Sequence, residues 1–313
     1  MKLSVCIFTY NHQAYIAETI EGALRQKTNF EFEIVVGEDC STDGTRQIVE
    51  QYEKCYPQKV RAIYNKTNLG MMSNNSNTIL QCKGDYIALL DGDDYWIDDK
   101  KLQNQVEFMD NNPKYSFCFH DGKILGKDGV LLDETCCGYM SKEEVKFEDV
   151  IFDVSIPTFS IVFRRNLLGG YPPSWFHTLN APDRPLFLLL AQKGKGYYFN
   201  QCWGVYRLHD NGCWTGQNYQ SRWLTHLQIF NTINSYYDQK YDKAFSKAKN
   251  KVYYILAIQL SKDGKLKRSV CFLKKFMTSH KSSLMLKLPF FRKLFVCYMI
   301  MFKYFLRSKL KTG

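Results

Sequence analysis

Three carboxylates crowd the end of one apolar run. Asp91, Asp93 and Asp94 stand within four residues of one another, interrupted only by Gly92. At a buried strand end they would repel one another and cost several kcal/mol without a cation. Hard divalent cations such as Mg²⁺ take oxygen ligands and leave positions open for substrate phosphates. The motif predicts a divalent-metal site, with a solvated acidic turn as the alternative. Two aromatic residues follow at once, which excludes a calcium loop of the helix-loop-helix type.

A second acidic segment follows another apolar run. It begins with Glu38 and Asp39 and continues through Ser41, Thr42 and Asp43 to a glycine. A carboxylate at this point can accept the imide N–H of uracil or thymine. The alternative is that the segment caps the next helix, a role that the last three residues can fill at the same time. The segment is therefore a candidate binder of a pyrimidine base.

Alternating strands and helices must position these segments. Strands are predicted at Leu3–Phe8, Phe32–Val36, Val60–Tyr64 and Tyr86–Leu90, and helices at Ala14–Gln26 and Thr45–Tyr56. This alternation implies right-handed crossovers and a mostly parallel sheet, in an α/β fold. Binding groups in such sheets collect at the carboxyl ends of the strands. The rule brings three polar clusters into one crevice: Thr9-Tyr10-Asn11, Glu38-Asp39 and Asp91-Gly92-Asp93-Asp94.

The later part of the chain has two patterns. Up to about residue 206, the pattern mixes strands and helices. Strands are predicted near Ser116–His120, Phe159–Phe163 and Tyr197–Phe199, and a helix at Arg184–Lys193. Beyond Gly216 the pattern is helical, at Tyr219–Tyr237, Lys240–Ser261 and Lys265–Thr278. We expect a catalytic domain over residues 1–215 and a helical, basic region over residues 216–313.

The ordered series of motifs resembles glycosyltransferase family 2. The resemblance is carried by Ser4-Val5-Cys6-Ile7-Phe8-Thr9-Tyr10-Asn11-His12, Glu38-Asp39-Cys40-Ser41-Thr42-Asp43-Gly44-Thr45, Asn68-Leu69-Gly70 and Gly84-Asp85-Tyr86-Ile87-Ala88-Leu89-Leu90-Asp91-Gly92-Asp93-Asp94. It covers roughly residues 1–215. It implies the Rossmann-like GT-A fold, a nucleotide-sugar donor, a Mg²⁺ or Mn²⁺ ion and inversion at the anomeric carbon. The implied activity is sugar transfer to an acceptor hydroxyl, with UDP favoured as the nucleotide.

The resemblance also implies roles for individual residues. Thr9 and Asp39 should meet the base, Asp91 should lie near the ribose, and Asp93 should bind the metal that bridges the diphosphate. Asp94 should be structural. The other expected contacts with the donor are Tyr10, Asn11, Glu38, Asn68, Gly70, Gly92 and Arg207.

Asp183 is the candidate general base. It opens a predicted helix where family members place their base, although Ala181-Pro182 replaces the acidic residue or glycine that often precedes it. Its carboxylate would take the proton of the acceptor hydroxyl, and the helix N-terminus would favour its ionised form. The alternative role is an ordinary helix cap.

Tyr206-Arg207-Leu208-His209 resembles the family's Tyr-Arg-x-His segment. Arg207 could reach the departing diphosphate, and His209 could bind its metal. The alternative is a loop that closes over the site through Trp203 and Trp214. By the same resemblance, His12 should position other groups and Thr158 should face the acceptor.

Other function classes lack their signatures. The first strand is followed by no glycine-rich dinucleotide loop, and a phosphate-binding lysine loop is absent. The remaining alternative is a catalytically inactive protein that binds nucleotide sugars on the same fold. Loss of Asp93 or Asp183 would mark such a protein, and both are present.

Charge is concentrated at one end of the 313-residue chain. The segment Lys262–Gly313 carries fourteen Lys or Arg against one acid, whereas the rest carries 28 bases and 30 acids. The main body is therefore not expected to bind nucleic acid.

The cysteines and the first residues bear on the compartment. Eleven cysteines without a CxxC pair indicate a reducing compartment. Met1-Lys2 leads directly into a strand, a pattern that does not suit an export signal. We expect a cytoplasmic enzyme. No motif indicates its oligomeric state.

The basic end also contains an apolar run. Leu294–Phe302 is nine residues long, well short of the roughly 20 that cross a bilayer. As a helix over about residues 290–311, it would carry a basic stripe beside aromatic and aliphatic side chains. This pattern predicts a helix lying on an anionic membrane at the inner face of the cell membrane, where a glycan or lipid-linked acceptor would be met. The alternative is a terminal helix packed on the catalytic domain.

Overall fold

The computed structural model describes residues 1–138, 140–210, 212 and 216–278. These residues fall into two compact units, Met1–Gly216 and a second that begins at Gln217. The expected helix over about residues 290–311 and Trp214 lie outside the described residues.

The first unit alternates strands and helices over its first half. The elements are β1 (Leu3–Thr9), α1 (Ile16–Leu24), β2 (Phe32–Glu38), α2 (Thr45–Cys55), β3 (Val60–Tyr64), α3 (Met71–Gln81), β4 (Tyr86–Asp91), β5 (Tyr95–Trp96) and α4 (Lys101–Asn111). The second half contains β6 (Tyr115–Leu125), β7 (Leu131–Thr135), β8 (Glu144–Val145), α5 (Phe147–Phe152), β9 (Val162–Arg164), α6 (Asp183–Lys193) and β10 (Lys195–Arg207). Short 3₁₀ turns lie at Thr158–Ser160, Arg165–Leu168 and Phe176–Thr178.

One ten-stranded sheet runs in the order β3-β2-β1-β4-β9-β6-β10-β5, with β7 added beside β6 and β8 beside β10. The strands β3, β2, β1 and β4 are parallel, as predicted, and so are β6 and β10. The sheet becomes mixed where β9 enters antiparallel to both β4 and β6. Every residue of β1 and β2 is buried, because helices cover these central strands. The α/β fold class is therefore confirmed.

The prediction of a strand over Phe159–Phe163 was only half right. Thr158–Ser160 forms a 3₁₀ turn, and the strand starts at Val162. The turn closes because the amide and the hydroxyl of Ser160 both donate to the carbonyl oxygen of Pro157, at 3.0 and 2.6 Å. This pair of local hydrogen bonds replaces a sheet ladder.

The second unit is helical over its described residues. It contains α7 (Tyr219–Tyr236), α8 (Asp242–Lys262) and α9 (Leu266–Thr278). The rings of Phe230 and Phe245 pack 6.0 Å apart between α7 and α8, and those of Tyr254 and Phe276 lie 5.5 Å apart between α8 and α9. None of the helices in the described part of the chain has the length and apolar character needed to cross a membrane.

A lysine is buried in the core of the first unit without a hydrogen bond to any described residue. The Lys101 ammonium group lies 3.9 Å from the centroid of the Trp96 ring, and the residue has no exposed surface. Burial lowers the pKa of Lys101 well below its ordinary value of 10.5, and His120 and Cys118 are the titratable groups nearby. A charged group in such surroundings destabilises the native state.

Lys101→Met should therefore stabilise the protein, by about 1 kcal/mol or more at neutral pH. Between the lowered pKa of the folded state and 10.5, the unfolded state binds more protons than the native state. Wild-type stability should rise with pH across that window, so the advantage of the variant should shrink as pH approaches 10. Urea unfolding at a series of pH values measures both effects.

Lys100→Met is the matched control, because Lys100 is the exposed neighbour in sequence. Its effect on unfolding should be small and independent of pH. A less stable Lys101→Met, or a stability difference that does not change with pH, would contradict the prediction.

Candidate active site

The carboxyl ends of three adjacent parallel strands build the site. Strand β1 lies between β2 and β4, with Thr9 beside Glu38 and Phe8 beside Asp91. The backbone continues this pairing past the strand ends. The Asp39 amide donates to the Thr9 carbonyl at 3.1 Å, and the Gly92 amide donates to the Phe8 carbonyl at 2.8 Å. The three polar clusters therefore share one crevice, as the sheet rule requires.

The loop after β1 is tied to the loop after β2. The Asn11 amide donates to the Ser41 hydroxyl at 3.0 Å, and its side-chain oxygen accepts from the Thr42 amide at 2.8 Å. Asn11 has a φ of 56°, a left-handed conformation that Asn adopts more readily than most residues. Thr9 is buried, whereas Tyr10 is 41% exposed beside it. The loop thus presents an aromatic side chain to solvent above a fixed backbone.

Asp39 organises the loop that follows β3. One carboxylate oxygen accepts from the Asn65 amide group and the Leu69 amide, both at 2.8 Å, and the other accepts from the Gly70 amide at 2.9 Å. A carboxylate has about four acceptor positions, so the second oxygen can accept one more donor. Asn68 is used inside the same loop, where its side chain bonds the Asp39 carbonyl and the Gly70 amide.

Glu38 is fully buried, and its carboxylate holds the loop that follows it. Its carboxylate accepts from the Ser41 amide at 2.6 Å and lies 3.8 Å from the Arg46 guanidinium. Both carboxylates are buried, and each is held by the loops that follow the strand ends. The predicted contacts of both with the donor stay predictions.

Two histidines converge on Asp93. Its carboxylate lies 3.0 Å from the ring nitrogen Nε2 of His209 and 3.7 Å from Nε2 of His12. Burial alone would raise the pKa of Asp93, but the His209 hydrogen bond and the nearby His12 lower it from its ordinary value. Asp93 and His209 are 116 residues apart in sequence, and the structure brings their side chains together. Their predicted role as metal ligands stays a prediction.

Asp94 and Arg207 attach the acidic segment to β10. The Arg207 amide donates to Asp94 at 2.9 Å, and its guanidinium donates to the Asp93 carbonyl at 2.7 Å. The guanidinium also pairs with Glu18 and lies over the Tyr95 ring, 4.4 Å from its centroid. Asp94 is therefore held as a structural carboxylate. The predicted contact of Arg207 with a diphosphate stays a prediction.

Gly92 lets the acidic segment pass close to the end of β1. A Cβ atom at this position would lie 2.7 Å from the His12 ring, 2.8 Å from the Phe8 carbonyl and 2.8 Å from the Thr9 side chain. Two of these neighbours cannot move without shifting β1. Glycine is needed here for close approach, and the predicted contact of Gly92 with the donor stays a prediction.

Asp183 lies near the acidic segment. Burial raises the pKa of Asp91 to about 8, and the charges of Asp93 and Asp183 add to the increase. Asp183 is the first residue of α6, but Pro182 is the N-cap and no side chain caps the helix. Among the described residues, none is hydrogen-bonded to the Asp183 carboxylate. The capping alternative therefore loses its support, and the role of Asp183 as general base stays a prediction.

The residues present fit a divalent cation that a substrate helps to hold. Burial and the charges of Asp93 and Asp183 oppose ionisation of Asp91, an opposition that a cation would relieve, and Asp93 and His209 lie side by side. Across the described ranges, no group of three or more His, Cys, Asp or Glu side chains is arranged to hold a metal by itself. Mg²⁺ is commonly bound by one or two carboxylates together with substrate phosphates. The site matches that kind of ion.

Sequence reasoning missed two residues that support the site. Glu18 pairs with Arg207, and the Tyr15 ring lies 4.8 Å from the His209 ring and 5.2 Å from the Arg207 guanidinium. Both belong to the region where α1 begins. No local sequence motif identifies Glu18 or Tyr15, because their partners are about 190 residues away in the chain.

Comparison with known proteins agrees with this geometry. Residues 4–163 match the family model of glycosyl transferase family 2. An uncharacterized protein of Mycobacterium tuberculosis is 32% identical over 212 residues, which cover 68% of this chain and 60% of the relative. The chain thus spans about three fifths of the length of the mycobacterial relatives it matches. The putative teichuronic acid biosynthesis glycosyltransferase TuaG of Bacillus subtilis is 31% identical over 67% of this chain and 80% of its own length.

Solved structures share the fold. Staphylococcus aureus TarS 1–349 in complex with UDP-GlcNAc superposes with a TM-score of 0.56, at 19% identity, over 95% of this chain and 79% of that one. The mannosyltransferase PcManGT of Pyrobaculum calidifontis, in complex with GDP-Man and Mn²⁺, gives 0.58 at 15% identity, over 100% and 88%. The sheet and its helices are those of GT-A glycosyltransferases. From the family match, the relatives and the fold together, we conclude that this chain belongs to glycosyltransferase family 2.

Proposed function

We propose that this protein transfers a sugar from a nucleoside diphosphate, with UDP favoured, to an acceptor hydroxyl. The observation that carries the proposal is the meeting of Asp39, Asp91, Asp93 and Asp183 at one edge of the sheet. A base-binding carboxylate, a metal-binding pair and an unpartnered carboxylate are the groups such a transfer needs. The TarS complex with UDP-GlcNAc supports UDP as the nucleotide.

The donor would lie along the ends of β1, β2 and β4. Asp39 has acceptor capacity left for the imide N–H of uracil, and Tyr10 is exposed next to it. Asp91 would meet the ribose, because it ends the strand adjacent to Thr9 on the side away from Asp39. The structure of PcManGT contains Mn²⁺, and this supports the proposal that a cation binds at Asp93 and His209. When bound, Mg²⁺ or Mn²⁺ would neutralise the charge of the diphosphate as it leaves.

Asp183 would act as the general base. Its carboxylate would accept the proton of the acceptor hydroxyl while that oxygen attacks the anomeric carbon from the face opposite the diphosphate. Attack from that face inverts the anomeric configuration. Arg207 would support the reaction by holding the backbone of Asp93, a contact of 2.7 Å that is already in place.

The acceptor is proposed to be a glycan or a lipid-linked oligosaccharide in the assembly of surface polysaccharide. TuaG, a relative named for teichuronic acid biosynthesis, supports this class. In this proposal, residues 1–215 catalyse the transfer and the helical, basic residues 216–313 bring the enzyme to the cytoplasmic face of an anionic membrane. The charge of the segment beyond residue 262 supports the membrane contact.

A panel of nucleotide sugars tests the proposal. Purified protein should bind one donor class, in calorimetry with Mn²⁺ present, and should hydrolyse or transfer its sugar at a measurable rate. Binding without any turnover on a range of glycan acceptors would instead support the inactive binding protein. Absence of binding to every UDP-, dTDP- and GDP-sugar would overturn both.

A further inference from the structure

Helix α1 lies along the backbone that begins in the acidic segment and continues beyond it. Thr19 and Gly22 share one face of the helix, and Gln26 continues that face just past the helix end. A Cβ atom at Gly22 would lie 3.2 Å from both the amide nitrogen and the carbonyl oxygen of Trp96. The Gln26 side-chain amide donates to the Asp98 carbonyl at 2.6 Å. The helix face is therefore in direct contact with this backbone.

The Thr19 hydroxyl contacts the acidic segment itself. It lies 2.7 Å from the carbonyl oxygen of Asp94 and 3.0 Å from that of Gly92. Its contact with the Tyr15 carbonyl of its own helix is longer, at 3.3 Å. A hydroxyl donates one proton, so the Asp94 carbonyl is its main acceptor and the Gly92 carbonyl is the next nearest. All three of these residues, Thr19, Gly92 and Asp94, are buried, so bulk water does not compete for these contacts.

The carbonyl between these two is held from the same turn of α1 by another route. The Arg207 guanidinium donates to the Asp93 carbonyl at 2.7 Å and pairs with Glu18, the neighbour of Thr19. The Arg207 side chain is 11% exposed, whereas that of Glu18 is 48% exposed. Two adjacent residues of α1 therefore hold the three consecutive carbonyls of residues 92 to 94, one directly and one through Arg207.

Fixed carbonyls on both sides of Asp93 set the direction of its side chain. The Gly92 carbonyl belongs to the peptide plane before Asp93, and the Asp93 carbonyl belongs to the plane after it. With both planes held, the backbone dihedral angles of Asp93 are fixed, and so is the direction in which its side chain leaves the backbone. In that direction the carboxylate lies 3.0 Å from Nε2 of His209.

We propose that α1 positions the metal-binding carboxylate, with Thr19 and Glu18 as its positioning residues. Thr19 acts directly on the backbone around Asp93, and Glu18 acts through Arg207. Neither residue touches the donor in this proposal. The inference rests on the proposed function, since it takes Asp93 as a ligand of the cation that the diphosphate helps to hold.

Two substitutions at Thr19 separate the hydroxyl from the shape. Thr19→Val keeps the branched side chain and removes the proton donor. In calorimetry it should weaken UDP binding in the presence of Mn²⁺ about tenfold and leave the weaker binding without Mn²⁺ unchanged. Thr19→Ser keeps the hydroxyl and should recover most of that loss.

Thr78→Val is the matched control for Thr19→Val. Thr78 is also a buried helical threonine, but its hydroxyl donates to the Asn74 carbonyl of its own helix, at 2.7 Å. This variant should respond to Mn²⁺ as the wild type does. Melting temperatures of both valine variants report any loss of stability that they share.

Glu18→Gln tests the second route with a substitution at a half-exposed side chain. A neutral amide should hold Arg207 less firmly, so UDP affinity with Mn²⁺ should fall about threefold. Glu21→Gln is the control in the same helix, where the carboxylate accepts from the Tyr52 hydroxyl at 2.6 Å. It should leave the response to Mn²⁺ unchanged.

The outcomes separate the positioning role from the proposed function. A Thr19→Val protein that loses affinity equally with and without Mn²⁺, or a serine variant no better than the valine variant, would overturn the role of α1 alone. If Thr19→Val does not fold, Glu18→Gln decides, and an unchanged response to Mn²⁺ there would overturn it. A wild-type protein that bound neither UDP nor another nucleoside diphosphate would overturn the proposed function, and the inference with it.

Discussion

Asp93→Ala is expected to abolish sugar transfer and to remove the effect of Mn²⁺ on donor binding. Asp93 is the carboxylate on which both His209 and His12 converge, at 3.0 and 3.7 Å. Without it, His209 loses the carboxylate at 3.0 Å with which it would share a cation bound to the diphosphate. Turnover should fall to background. Calorimetry with UDP should give the same weak affinity with and without Mn²⁺, whereas wild-type affinity should depend on the ion.

Asp99→Ala provides the control for this substitution. Asp99 lies six positions further along the chain, where it forms an exposed ion pair with Lys27. Exposed pairs of this kind contribute little to stability, so both turnover and UDP binding should stay near wild type. A wild-type enzyme that keeps full activity in a chelator, or an active Asp93→Ala variant, would refute the metal site.

Asp183→Asn is expected to reduce turnover by a factor on the order of 10² or more while donor affinity changes little. Asparagine keeps the shape of the side chain but cannot take a proton from the acceptor hydroxyl. The described residues offer the Asp183 carboxylate no hydrogen bond, so its replacement breaks no contact that holds the fold. Initial rates with the preferred donor, together with UDP binding, separate the two effects.

Asp242→Asn tests whether any aspartate that opens a helix gives the same result. Asp242 begins α8, and its carboxylate is bonded to Asn234 at 3.0 Å and to Ser246 at 3.4 Å. Its substitution should lower the melting temperature but leave turnover unchanged. Retained turnover in Asp183→Asn would return Asp183 to a structural position in α6.

The first four strands could be predicted from the sequence, because each is marked by a pattern of neighbouring residues. The apolar runs that form β1, β2, β3 and β4 were placed to within two residues at each end, because an unbroken apolar run bounded by polar residues suits a buried parallel strand. The strand-end rule then brought Asp39 and Asp91 to the same edge, since parallel strands end together. Those steps need only neighbouring residues and the handedness of crossovers.

Helix α3 was not predicted, and its residues explain why. Met71–Gln81 is rich in Asn and Ser, which favour loops when judged by sequence alone. In the structure Asn74 is buried, donates to the Gly37 carbonyl at 3.0 Å and accepts from the Asn65 side chain at 3.0 Å. A polar residue became a core residue because its partners were supplied by other segments.

By itself, the sequence determined the family, the parallel half of the sheet and the crevice where its polar clusters meet. Only the tertiary structure decided which groups touch there. It brought His209 to Asp93, replaced the first part of the expected strand Phe159–Phe163 with a 3₁₀ turn, and placed the Arg207 guanidinium on the Asp93 carbonyl. Both contacts with Asp93 join residues far apart in the chain. Their meeting depends on how β6, β9 and β10 return across the sheet, and no spacing along the chain records that path.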